Sequence, residues 1–211
     1  MAFDYIQTFY VIPDLVGGAP DIMLSSVTLY FKTKPSVGSN ITQIAKPGVD
    51  VWLCEVQNDH PLPDRILTNS LVHVKYDSIG ASYNAQVPSS IGFANPVSVK
   101  SGKYYGIVVK FHDPGYVIWL NKQNDRLVDF NGPTNTKSAG SQGRFEGKLY
   151  TATDALTYVE FSDRDLKFKV QAAQFMSNTV NIPLVPKNYE FLTVANSQGT
   201  FVGGELAFKN T

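Results

Sequence analysis

The chain of 211 residues contains a single cysteine, Cys54, so it cannot form an internal disulfide. Its fold must be stabilised by a hydrophobic core alone, and a chain of this length can build one. Cys54 lies in the apolar run VDVWLCEV, where a thiol is typically buried and inert. We therefore expect neither a disulfide nor a cysteine nucleophile.

Charge is scarce as well. Charged residues make up 17% of the chain, against roughly 25% in typical soluble domains. The 18 basic and 18 acidic residues give a formal net charge of zero. The basic residues are scattered in pairs along strand-like runs, whereas a phosphate-backbone contact needs a dense basic surface. The sequence therefore predicts no nucleic-acid partner.

Long apolar runs are missing too. None approaches the roughly 18 residues of a membrane-spanning helix, so we expect no membrane span. The N-terminal run MAFDYIQTFYVIPDL has no basic segment and carries Asp4 early, which is unlike a secretory signal. We expect a protein made in the cytoplasm and exported, if at all, by other means such as cell lysis.

Catalytic and metal-binding motifs are not found either. The three histidines, His60, His73 and His112, have no partner at the spacing of metal ligands. The sequence contains no GxSxG, GxxxxGK[ST] or GxGxxG motif. Asp163 and Asp165 could contribute to a Ca²⁺ site, but they lack a fuller set of acidic ligands. We predict a protein that is not an enzyme, with no catalytic residue, metal or cofactor.

One short stretch, HDPG at 112–115, could place an acid–base pair at His112 and Asp113. An Asp before Pro-Gly is, however, typical of a turn in which the carboxylate accepts a hydrogen bond from its own backbone. The sequence offers no nucleophile or pocket to go with such a pair. We therefore interpret HDPG as the turn between two strands.

Alternation with a period of two residues is the strongest positive signal. Residues 27, 29 and 31, residues 105, 107, 109 and 111, and residues 166, 168 and 170 are apolar and alternate with other side chains. Such runs predict antiparallel strands with one face in a core. The run GVDVWLCEV is apolar on both faces, which favours a central position. About nine strands with no convincing helix predict an all-β antiparallel sandwich of jelly-roll type.

The expected domain organisation is a sandwich at 1–172 followed by residues 173–211, which form a C-terminal β extension or begin another domain. A loop at 124–148, rich in Gly, Ser, Asn and Thr, is long enough to be functional or mobile. The sequence ends directly after a strand-like run, so we expect a fragment or a last unit completed by a partner.

Aromatic residues are the remaining candidates for a site. Trp52 and Tyr105 lie among apolar strand residues and are expected in the core. Tyr116 and Trp119 lie on opposite faces of one strand, so at most one of them points inward. We expect the outward one to contact a ligand or partner.

Several runs resemble, in the same order, structural proteins of tailed bacteriophages, especially T4-like myoviruses of cyanobacteria. They are QTFYV (7–11), LSSVTLYFKTKP (24–35), PGVDVWLCEV (47–56), residues 93–114, YVIWLNKQNDRLV (116–128), GKLY (147–150), SDRDLKFKV (162–170) and KNYEFLTV (187–194). The middle portion also resembles jelly-roll domains of surface proteins that act in attachment or presentation.

The phage resemblance implies a virion structural protein of the tail baseplate or tail-fibre apparatus. Such a protein is made in the host cytoplasm, belongs to the virion tail and contacts other virion proteins in a symmetric assembly. Proteins of this kind are usually far longer than this chain. The alternative is a carbohydrate-binding module for host surface glycans, in which the outward residue of Tyr116 and Trp119 would stack on sugar. An exposed aromatic platform with Asn or Asp beside it would favour that alternative.

Overall fold

A computed structural model describes residues 4–13, 20–36, 47–122, 147–152 and 157–173, and the backbone of 199–202 and 205–208. The chain divides into two compact units, 1–173 and 174–211. The described part of the second unit is an antiparallel pair of strands, Gly199–Val202 and Glu205–Phe208.

The described part of the first unit is built from strands and one short 3-10 helix, Tyr76–Ser78. The strands are β1 (Tyr5–Tyr10), β2 (Asp21–Leu29), β3 (Phe31–Thr33), β4 (Val49–Gln57), β5 (His60–Ile66), β6 (Val72–Val74), β7 (Ser89–Lys100), β8 (Tyr104–Phe111), β9 (Val117–Ile118), β10 (Leu120–Lys122), β11 (Leu149–Ala152), β12 (Tyr158–Phe161), β13 (Arg164–Leu166) and β14 (Phe168–Ala172).

These strands form two layers. The first is a seven-stranded sheet in the order β12-β11-β1-β8-β4-β5, with β6 also paired to β4. The second contains β14-β2-β7 and the pairs β3-β9 and β10-β13. All pairings between named strands are antiparallel, and the chain passes repeatedly from one layer to the other. The prediction of an all-β antiparallel sandwich is confirmed.

The main core lies between the layers, as the alternation predicts. Ile107 and Val109 of β8 are fully buried there with Val27 and Leu29 of β2. Each side chain of this kind contributes roughly 1.5–3 kcal/mol when it leaves water. The layers are also joined by a polar contact, because the buried side chain of Gln7 in β1 bonds to β13.

A second cluster fills the opposite face of the seven-stranded sheet. It consists of five buried residues: Ile6, Trp52, Cys54, Val108 and Tyr150. The sheet curls around this face, because Tyr158 Oη in β12 donates a hydrogen bond of 3.2 Å to the carbonyl oxygen of Pro61 in β5, and these strands end the sheet order. The curl explains why β4 is apolar on both faces.

Gly106 lies at a closely packed point of the curled sheet. A Cβ atom there would lie 2.7 Å from Cys54 Sγ and 3.0 Å from Ile6 Cγ2. Real Cβ atoms do not approach neighbours this closely, so glycine is needed for the close packing of β1, β8 and β4.

The HDPG stretch is a turn, as predicted. Asp113 Oδ1 accepts a hydrogen bond of 2.7 Å from the backbone N–H of Gly115. The carboxylate therefore closes its own turn. Residues 123–146, which include most of the expected long loop, lie outside the described residues. In the part of the chain that the structure describes, no helix has the length and apolar character needed to cross a membrane.

Candidate functional site

Tyr116 points into the main core. Its side chain is 3% exposed, and its hydroxyl donates a hydrogen bond to the carbonyl oxygen of Pro47. Burial, together with the nearby Tyr76 and Asp113, raises the pKa of Tyr116 to about 12. The ring also packs edge-on against Phe31. Of the two aromatic candidates, Tyr116 is therefore the inward one.

Trp119 lies between β9 and β10 and is the outward candidate. Its backbone N–H bonds to the carbonyl oxygen of Tyr30, and its own carbonyl accepts from the N–H of Lys167. This segment is thus hydrogen-bonded on one side to the residue between β2 and β3 and on the other side to the residue between β13 and β14. The half-buried indole donates its N–H to the carbonyl oxygen of Ser82 at 2.8 Å. The Lys32 ammonium lies 5.3 Å from the ring centre.

Exposed apolar side chains lie in the two chain segments that the indole joins. Val117 is two residues away on the same face of the strand and is 44% exposed. Tyr83, 77% exposed, and Val87, 42% exposed, belong to the loop that contains the hydrogen-bond acceptor Ser82. We call Trp119, Val117, Tyr83 and Val87 the Trp119 surface. It offers a contact area that is aromatic and aliphatic.

Two lysines flank the Trp119 surface. Lys32 lies over the indole, and Lys167 donates a hydrogen bond of 2.7 Å to the carbonyl oxygen of Ala85 in the same loop. Lys167 also lies 4.4 Å from the ring centre of Tyr30. The apolar surface therefore has basic groups at its margin.

A small cleft lies elsewhere among the described residues. It is lined by Thr8, Val56, Asp59, Tyr104 and Lys148 and has a volume of about 110 Å³. This volume is below the roughly 300–1,000 Å³ that is typical of pockets for small molecules.

A cluster of ionisable side chains lies on the curled face of the seven-stranded sheet. Asp50 Oδ1 is 2.6 Å from His73 Nδ1, and Asp50 Oδ2 is 2.7 Å from His112 Nε2. The two imidazole rings are 5.8 Å apart between centres. We call these three residues the Asp50 cluster.

The sheet register brings the Asp50 cluster together. Asp50 in β4 lies opposite His73 in β6 and, on its other side, opposite Lys110 in β8. His112 follows Lys110 by two residues and so extends to the same face. Burial alone would raise the pKa of Asp50, but the hydrogen bonds and positive charge of His73 and His112 outweigh it and hold that pKa below its usual value.

A search for metal ligands at short sequence spacing cannot find the Asp50 cluster. Asp50 and His73 are 23 residues apart, and Asp50 and His112 are 62 apart. Only a correct pairing of β6 and β8 with β4 would have shown that all three share one face. The alternation of Val72, His73 and Val74 was a usable signal, since it places His73 on the face away from the main core.

The other suggested sites have local partners. Asp163 forms ion pairs with Arg164 at 3.1 Å and Lys122 at 3.9 Å, and Asp165 Oδ1 accepts a hydrogen bond from Gln7. Cys54 is fully buried, and burial raises its thiol pKa to about 12. The Cys54 environment agrees with the inert thiol expected from the sequence.

No protein-family model, no curated protein and no solved structure matches this chain.

Proposed function

We propose that this chain is a non-enzymatic structural protein of a tailed-phage virion, part of the baseplate or tail-fibre apparatus, and that it acts through contacts with other virion proteins. The Trp119 surface is the observation that carries this proposal. It combines a half-buried Trp, an exposed Tyr and two exposed Val residues with basic groups at the margin. Aromatic anchors within a polar rim are typical of protein–protein interfaces.

The side chain and backbone of Trp119 are held in place before a partner binds. Its backbone is bonded to Tyr30 on one side and Lys167 on the other, and its indole N–H is bonded to Ser82. A contact residue that is already fixed loses little conformational entropy on binding, so more of the contact energy remains for affinity. Lys32 and Lys167 favour a partner surface that carries carboxylates around an apolar centre.

The same geometry favours protein contact over the alternative of glycan binding. A sugar-binding Trp offers an open ring face and polar groups beside it. Here Lys32 lies over the ring, and the indole N–H already bonds to Ser82 within the chain. The order of motifs that resembles phage tail proteins supports a place in the virion, with other virion proteins as partners in a symmetric assembly.

A matched pair of substitutions tests the proposal in the virus that encodes the chain. Val117 and Val159 are 44% and 43% exposed, but only Val117 belongs to the Trp119 surface. Val159 lies in β12 of the other sheet. We expect Val117→Ser to reduce the amount of this chain in gradient-purified particles, measured by quantitative mass spectrometry, and Val159→Ser to leave it unchanged. Absence of the wild-type chain from particles would contradict the proposal.

A glycan array with the purified chain separates the two functions. We expect no glycan to bind with an affinity that Trp119→Ala abolishes. Binding in the micromolar range that disappears in the Trp119→Ala variant, while far-UV circular dichroism is unchanged, would favour the carbohydrate-binding module instead.

A further inference from the structure

We propose that Asp50, His73 and His112 form a binding site for a divalent transition-metal ion of the Zn²⁺ class. Asp50 contacts Nδ1 of His73 and Nε2 of His112 through its two carboxylate oxygens, and one ligand atom from each of the three residues lies within 4.8 Å of the other two. Three protein ligands are the number that zinc sites with an exchangeable position use. This inference is independent of the virion proposal.

Strand pairing places two of the three ligands, and the third opens the HDPG turn directly after β8. Asp50 and His73 are directly opposite each other in the β4–β6 ladder, and His112 follows the end of β8, which pairs with the other side of β4. Ligands on paired strands are held more precisely than ligands on mobile segments. The site is therefore largely formed before an ion binds.

Gly48 fixes which nitrogen of His73 is available. A Cβ atom at position 48 would lie 2.7 Å from His73 Nε2 and 2.7 Å from His73 Cε1. The Nε2 side of the ring therefore packs against the backbone at Gly48, and Nδ1 faces Asp50. The packing therefore limits the orientation of the His73 ring before an ion binds.

The ligand types select the class of ion. Two imidazole nitrogens and one carboxylate suit Zn²⁺, Co²⁺, Ni²⁺ or Cu²⁺, whereas Mg²⁺ and Ca²⁺ prefer all-oxygen sites. Ligand atoms around a tetrahedral Zn²⁺ are about 3.3 Å apart, given bonds of about 2.0–2.1 Å. The hydrogen-bond distances of 2.6 and 2.7 Å, each to a different oxygen of Asp50, need to lengthen by about 0.6 Å. The three ligand atoms now lie within 4.8 Å of one another, so those that are farthest apart must also move closer when an ion binds.

The site is open to solvent. The side chains of His73, His112 and Asp50 are 57%, 35% and 22% exposed. An ion can therefore enter directly, and at least one coordination position faces outward, where a water molecule or a side chain from another molecule can complete the shell. Exposure also means that the ligands can be replaced with little effect on the core.

Zn²⁺ binding to the untagged, chelator-treated chain is the direct test, measured by competition with a chromophoric chelator. We expect one Zn²⁺ per chain with a Kd tighter than about 10 µM. Asp50→Asn and His112→Ala each weaken binding by about tenfold or more. His60→Ala is the matched control, because His60 lies outside the Asp50 cluster, and it leaves the Kd unchanged.

Two further measurements distinguish the site from a simple hydrogen-bonded cluster. Co²⁺ gives visible absorption bands in the wild-type chain that the double variant His73→Ala/His112→Ala lacks. Zn²⁺ in about hundredfold excess over Kd raises the Tm of the wild type by several degrees and leaves that of the double variant unchanged. If the folded wild type binds Zn²⁺ no more tightly than the folded double variant, or if His60→Ala removes binding, the proposal is wrong.

Discussion

The indole N–H of Trp119 donates a hydrogen bond of 2.8 Å to the carbonyl oxygen of Ser82, 37 residues earlier in the chain. This bond attaches the loop that carries Tyr83 and Val87 to the strand segment between β9 and β10. In the same loop, the backbone N–H of Val87 donates to Ser82 Oγ at 3.3 Å. The indole of Trp119 is therefore one of the groups that hold this loop, together with Lys167, which bonds to Ala85, and the backbone of Phe31, which accepts from Ser82.

Trp119→Phe keeps an aromatic ring but removes the donor to Ser82. We expect faster hydrogen exchange of the backbone N–H groups of Val87 and its loop neighbours, with a loss of global stability of about 1 kcal/mol. Trp52→Phe is the matched control, since the Trp52 indole donates to Pro63 instead. Unchanged exchange around Val87 in Trp119→Phe would show that the bond does not anchor the loop.

Gly106→Ala tests the curled sheet. The added methyl group would lie too close to Cys54 Sγ and Ile6 Cγ2, and overpacking of this kind costs about 1–3 kcal/mol. Gly92→Ala is the control, because nothing lies within 4 Å of a Cβ atom there, and we expect a change within about 0.5 kcal/mol. Urea unfolding measures both, and equal effects would contradict the packing at Gly106.

Gln7→Leu tests the polar link between the layers. Gln7 Oε1 accepts the buried backbone N–H of Leu166 at 2.7 Å, and Gln7 Nε2 donates to Asp165 Oδ1 at 2.7 Å. Leucine leaves the buried N–H of Leu166 without an acceptor, which costs about 1–3 kcal/mol. The control Gln86→Leu changes an exposed side chain. A Gln7→Leu variant as stable as the wild type in urea would contradict this role.

The sequence predicts the sandwich well because burial of one strand face imposes a period of two residues. The alternation predicts burial best at Ile107, whose neighbours across the sheet, Gln7 and Leu53, are also buried. It predicts burial less well where other residues cover the second face: Tyr30, on the face expected outside the core, is 5% exposed and lies under Lys167. In the seven-stranded sheet, alternation likewise cannot show a second cluster that forms only when the sheet curls.

The candidate sites were less predictable because they depend on strand order. That Tyr116 and Trp119 lie on opposite faces follows from the period of two, but which of them points inward requires the packing of β9 against β3. The Asp50 cluster requires two ladders at once, one with β6 and one with β8. A single sequence contains no local signal for either ladder.

Cys54 provides a prediction for alkaline pH. Burial raises its thiol pKa from 9.0 to about 12. Because the folded state keeps the proton to a higher pH than the unfolded state, the stability from the neutral thiol is complete below pH 9 and is lost as the pH rises toward 12. Above pH 9, Cys54 ionises in the unfolded state but not in the folded state. This lowers the free energy of unfolding by up to about 1.4 kcal/mol for each pH unit.

Cys54→Ala removes this contribution. We expect the variant to be less stable than the wild type at about pH 8, with a difference that narrows by about pH 10.5, as measured by urea midpoints. Tyr116, whose pKa is also raised, is present in both proteins and cancels in the comparison. A difference that stays constant over this range would contradict a buried, protonated thiol.

The central claim is that this chain is a virion protein that makes contact through the Trp119 surface. A residue-resolution reconstruction of purified particles of the virus that encodes the chain tests it most directly. The account predicts the sandwich in several symmetry-related copies in the tail, with the Trp119 indole buried against a neighbouring protein. Particles without the chain, or with the Trp119 surface facing solvent while another surface makes the contacts, would contradict it.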